Sequence, residues 1–119
     1  MRIKARAVIL DNMKARFNEI HTTDELDALI EKSNEQPIVL FKHSTTCPIS
    51  HGVYKEVANA DADISLIVVQ TARNVSTAVA EKTGVRHESP QAIILRNGEV
   101  VYQASHYDVT VADVESHLK

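Results

Sequence analysis

Asn97-Gly98 is the feature that most constrains the fold of this chain. The pair sits between Ala92-Leu95 and Val100-Ala104, two short runs suited to strands. Asn-Gly between such runs is a strong hairpin signal, because both residues tolerate the positive φ of a tight turn. The last two strands are therefore expected to be antiparallel. Upstream, apolar runs alternate with segments of helical spacing. Phe17 to His21 reads as a strand. Thr22 and Glu25 then form a Thr-x-x-Glu capping box, followed by Leu26, Leu29 and Ile30 through Lys32. Ile38 to Phe41 is a continuous apolar run, as expected of a strand covered on both faces. A helix is expected from Pro48 to about Asn59, with Val53 and Val57 on one face. Ile64 to Val69 reads as another strand, and Ser76 to Thr83 as a helix stopped by Gly84. Thr110 caps a last helix through Leu118, with Asp113 at its third position.

The element order is thus βαβαβαββα. It predicts an α/β domain with a mixed central sheet and helices on both faces. An extra edge strand is conceivable at Arg2 to Ile9, where Arg2, Lys4 and Arg6 alternate with Ile3, Ala5 and Ala7. We divide the chain into a basic extension or edge strand, 1–16, and a single domain, 17–119.

The chain has 119 residues, 44% of them hydrophobic, enough for one core. Residues 1–16 hold five basic residues and one acid, leaving the remainder at a net charge of −7. An acidic domain with no Trp and few other aromatics argues against nucleic acid as partner. The longest apolar run of the extension, Ala7 to Leu10, is too short for a signal-peptide core or a membrane span. A cytoplasmic location without membrane attachment is expected.

Cys47 is the only cysteine, which excludes an internal disulfide and a CxxC zinc site. In a reducing compartment one thiol is either inert in the core or chemically active. Pro48 favours the first helical position, which puts Cys47 at the N-cap. There its sulfur could accept hydrogen bonds from the N–H groups of Ile49 and Ser50. The helix dipole would also favour the thiolate, and its pKa should fall. A metal reading competes, since His43, Cys47 and His51 are spaced four apart. Pro48 breaks the continuous helix that would align them, and no metal is expected. A protonated His43, His51 or His87 near Cys47 would favour the thiolate further. Each could equally be an ordinary hydrogen-bonded or solvated residue.

The segments FKHSTTCPIS (41–50), HESPQAIIL (87–95) and RNGEVVYQASH (96–106) closely resemble the monothiol bacilliredoxin family. The likeness covers about residues 17–119. It implies a thioredoxin-like fold and thiol–disulfide exchange. In dithiol thioredoxins a second cysteine lies three residues after the first, and here that position is Ser50. A hydroxyl can donate to a thiolate but cannot resolve a mixed disulfide, so a monothiol mechanism is implied. Cys47 would take the small thiol from an S-thiolated protein, with bacillithiol as co-substrate and no bound cofactor. Ser89-Pro90 looks like the cis-proline loop that binds incoming substrate beside the cysteine; an ordinary proline opening the next strand is the alternative. Thr45 and Thr46 could contact the small thiol or cap the helix. Dithiol relatives often carry a buried acid six residues before the cysteine, where this chain has Phe41. Two other functions remain open. One is the same chemistry with another low-molecular-weight thiol such as glutathione. The other is a non-catalytic binding or redox-sensing module.

Overall fold

The computed structural model describes residues 13–119, so the alternation between Arg2 and Ile9 lies outside the described residues. The elements run β1 (Arg16–Glu19), α1 (Thr23–Lys32), β2 (Ile38–His43), α2 (Pro48–Val57), β3 (Asp63–Val68), α3 (Arg73–Thr83), β4 (Gln91–Arg96), β5 (Glu99–Ser105) and α4 (Val111–Ser116). A single 3-10 turn, His106–Asp108, precedes α4. The strands form one sheet in the order β1-β3-β2-β4-β5. β1 and β2 both pair with β3 in parallel, whereas β4 runs antiparallel to both β2 and β5. The sheet is mixed because β4 runs against β2; the Asn97-Gly98 hairpin, whose two residues take φ of 53° and 75°, then returns β5 beside β4.

Period-two alternation divides the central strands between two cores. Val39, Phe41, Ile64, Leu66, Ala92 and Ile94 face α2 and α4, packing on Val53, Val57 and Val114. Leu40, Ile67, Ile93 and Leu95 face the other way, against Leu26 of α1 and Val75 and Val79 of α3. Both faces of β2 are covered, which explains its unbroken apolar start.

Local chemistry sets the helix ends. Thr22 and Glu25 form the reciprocal capping box, and Thr110 accepts from the Asp113 N–H. Gly84 closes α3 in the left-handed conformation at φ 74°. α3 starts three residues earlier than expected, at Arg73, because its N-cap is Ala72, which offers no capping side chain to read. α4 stops at Ser116 instead of Leu118. The Ser116 hydroxyl donates back to the Asp113 carbonyl at 2.8 Å.

Ser33, at the end of α1, ties the hairpin to the first half of the chain. Its carbonyl accepts the Asn97 N–H at 2.7 Å and its hydroxyl accepts the Gly98 N–H at 2.8 Å.

Candidate functional site

β2 delivers its last residue, His43, to the C-terminal end of the parallel strands, where ligand sites of open α/β sheets gather. Ser44, Thr45 and Thr46 turn the chain, and α2 begins at Pro48 with Cys47 at its N-cap. The expected placement of Cys47 and Pro48 therefore holds. Cys47 is partly exposed. Its backbone is extended (φ −99°, ψ 121°), and its carbonyl accepts the first helical bond, from the His51 N–H at 3.1 Å. One expectation fails. The Cys47 side chain makes no cap hydrogen bond, so the Ile49 and Ser50 amides do not hold the sulfur. What remains is the partial positive charge at the start of α2, which favours an anion at this position.

Ser50 does not face the sulfur as a donor either. It is fully buried, with its Oγ 2.8 Å from His43 Nδ1 and accepting the Ser44 N–H at 2.9 Å. Ser50 thus locks the end of β2 to the first turn of α2. Its hydroxyl thus bridges the Ser44 amide and His43 Nδ1, the direction of the second bond following the imidazole tautomer. His43 is buried beside Phe41 and Tyr54, with ring centroids 6.3 and 4.9 Å away. Burial pushes its pKa below the ordinary value, and the nearby His51 lowers it further. A cationic His43 beside Cys47 is therefore not what the fold builds. Its neighbours make it a neutral, fixed part of the wall. Phe41, in place of a buried acid, is fully enclosed in the same core.

His51 is exposed and donates from Nε2 to the Thr45 carbonyl at 2.9 Å. Its ring meets that of His43 edge-on at 5.6 Å. Both His side chains thus have protein partners. Among the described residues no three His, Cys, Asp or Glu side chains gather as a metal site.

Gln70, which sequence reasoning missed, braces the loop before Cys47. Its Oε1 accepts the Thr45 N–H at 3.2 Å, and its Nε2 donates to Ser44 Oγ at 2.7 Å and to Thr46 Oγ1 at 3.1 Å. Thr45 and Thr46 do not cap α2. Nothing local to Gln70 signals this role, because its partners lie 24 to 26 residues away.

The Ser89-Pro90 peptide is cis. Lys42 pairs with Gln91 across β2 and β4, so Pro90 lies at the same end of the sheet as His43 and the loop to Cys47. Among the described residues neither backbone group of Ser89 makes a backbone hydrogen bond, and its hydroxyl is buried without a partner. His87 makes no hydrogen bond to the residues around Cys47 and pairs instead with Lys42 and Ser76 on the α1/α3 side of β2.

Lys42 was also missed. It is 1% exposed and points into the α1/α3 side of the sheet, where Nζ donates to the Ser76 carbonyl at 3.1 Å and to His87 Nδ1 at 3.0 Å. Burial lowers its pKa to about 8. A lysine following four apolar strand residues is the only hint the sequence offers.

Comparison with known proteins agrees with this architecture. A chain described as a candidate oxidoreductase with a thioredoxin fold superposes with a TM-score of 0.78 at 33% identity, covering 89% of this chain and 95% of that one. A mutant thioredoxin from Halobacterium salinarum NRC-1 aligns at 18% identity and TM-score 0.63, covering 87% and 88% of the two chains. A thioredoxin from Schistosoma mansoni aligns at 21% and 0.63, covering 87% and 93%. These last two bear on the fold alone. No helix among the described residues is long and apolar enough to cross a membrane. The family model for monothiol bacilliredoxin BrxC matches residues 18–114, and the chain therefore belongs to that family, thiol–disulfide oxidoreductases on a thioredoxin-like fold.

Proposed function

We propose that this protein frees S-bacillithiolated proteins of their small thiol, with Cys47 as the attacking sulfur. The observation that carries the reading is the pairing of a partly exposed N-cap cysteine with a buried Ser50 one helical turn on. That serine is committed to His43 and Ser44. No internal group stands ready to resolve an adduct on Cys47.

In the first step the Cys47 thiolate attacks the small thiol's sulfur in the protein mixed disulfide. A new S–S bond joins Cys47 to bacillithiol, and the protein leaves as a thiolate that takes up a proton. In the second step the thiolate of another bacillithiol attacks the adduct's small-thiol sulfur. Cys47 is released, and the two electrons that reduced the protein come from forming bacillithiol disulfide. The start of α2 favours the Cys47 anion each time it leaves. The free backbone of Ser89, beside the cis Pro90, is suited to pairing with an extended substrate segment, as an added strand would. A reducing, cytoplasmic setting suits this chemistry.

The test uses an S-bacillithiolated model protein, with an S-glutathionylated one beside it. Wild type should release bacillithiol in repeated turnovers while Cys47→Ala shows only the uncatalysed rate. Equal slow release by both proteins would refute the proposal. Preference for the glutathionylated substrate would transfer the same chemistry to that thiol. Stable capture of a partner without turnover would mark a binding or sensing module.

A further inference from the structure

A cavity of about 340 Å³ opens beside the C-terminal end of β3, lined by Val69, Arg73, Ser76, Thr77, Ala80 and His87. Two of these residues, Ser76 and His87, are the hydrogen-bond partners of the buried Lys42 ammonium. Lys42 has no carboxylate within ion-pair distance among the described residues, and neither has Arg73. The acid next to His87, Glu88, is 3.8 Å from His106 instead.

The polar groups at this cavity are mostly donors. His87 Nδ1 receives Lys42 Nζ at 3.0 Å and lies 3.2 Å from Ser76 Oγ, so the neutral ring carries its proton on Nε2. The Ser76 carbonyl is already taken by Lys42. Arg73 and Thr77 are exposed on consecutive turns of α3, so the guanidinium and the hydroxyl share one face. A buried cation without a counter-ion is costly unless something compensates it. Here the compensation has room to enter from outside.

One wall of the cavity adjoins the loop that leads into Cys47. The Val69 N–H donates to the His43 carbonyl at 3.0 Å, and the next residue, Gln70, holds Thr45 and Thr46. On the other wall, His87 lies two residues before the cis Ser89-Pro90 bond. A molecule joined to Cys47 through sulfur and extending toward this side would meet the donors.

We propose that the cavity between α3 and the 84–90 loop binds a carboxylate of the low-molecular-weight thiol, with Arg73 and Lys42 supplying the charge and His87 a hydrogen bond. This rests on the small-thiol reading above and deepens it. It makes Arg73 and His87 determinants of which thiol is accepted, far in sequence from Cys47. Charge-assisted, planar recognition by Arg suits a carboxylate in particular.

The test is a binding titration that needs no turnover. S-methyl bacillithiol, which bears carboxylates but cannot exchange, is added to isotope-labelled protein while the His87 ring and Thr77 amide signals are followed. S-methyl cysteamine, which has no carboxylate, is the control. Both signals should shift saturably with the first probe and stay still with the second. Arg73→Gln, a change at an exposed position, should weaken the first probe on the order of tenfold. No saturable shift in wild type, an unchanged affinity in Arg73→Gln, or equal shifts from both probes would each overturn the proposal. Intact binding in a wild type that releases no small thiol would instead condemn the catalytic reading alone.

Discussion

Lys42 and His43 are neighbours on β2, both buried, both nitrogen bases, and they face opposite sides of the sheet. His43 meets aromatic rings and one serine hydroxyl. Lys42 meets a carbonyl and an imidazole at the floor of an open cavity. Burial lowers the pKa of both. The His43 side is packed: the ring lies among aromatic rings, and its Nδ1 is tied through Ser50 to the turn into Cys47. The Lys42 side is open: a residual charge stands behind a space that can admit an anion. Burial alone does not separate a packing residue from a binding one; what lies beyond the buried group does.

The contrast breaks or sharpens under substitution and pH. The largest effect belongs to Lys42. Its folded pKa, about 8, lies below the unfolded value of 10.5. Between those values the unfolded chain binds the extra proton, so stability should rise with pH, by about 3 kcal/mol in all. Below about 8 both states are protonated and the full cost of burial is present. Urea unfolding across this range should show the rise in wild type and its absence in Lys42→Met. A rise of equal size in both would put its source elsewhere.

Next comes Ser50→Ala, which leaves His43 Nδ1 and the Ser44 N–H without their shared partner. A loss of about 2 kcal/mol is expected at neutral pH, read from the denaturant midpoint. A change within a few tenths would mean that Ser50 does not lock the turn. A smaller effect is expected on the acid side. The folded pKa of His43 is depressed, so the unfolded chain takes up the proton first as pH falls through about 6.5. Stability should decline there, less steeply in His43→Gln, and thermal scans at stepped pH would show it. Smallest is Gln70→Ala. It should cost about 1 kcal/mol or less, since its partners are largely solvated, while hydrogen exchange at the Thr45 amide speeds up. Unchanged exchange there would remove Gln70 as the brace.

What was readable in the chain was whatever is encoded locally. The capping box at Thr22, the turn at Asn97-Gly98, the stop at Gly84 and the N-cap at Cys47 each depend on a few adjacent residues, and each is present. The same locality explains the failures. Ala72 caps nothing, so the true start of α3 was hidden. The roles of Ser50, Gln70 and Lys42 depend on partners brought by other elements, and composition around them says nothing of it. Placing a sulfur at an N-cap was legible; whether amides point at it was not, because that is set by side-chain rotation.

The grip of Ser33 on the hairpin bears on how the chain is made. β2, at the middle of the sheet, gains its antiparallel neighbour only from residues 91–96, and Ser33 at the end of α1 gains its long-range partners from Asn97 and Gly98. During synthesis the residues before Gln91 are made while that flank of β2 has no partner. The sheet can be completed only once the hairpin is made. Truncations that remove the hairpin should therefore yield chains prone to aggregate, not smaller working domains.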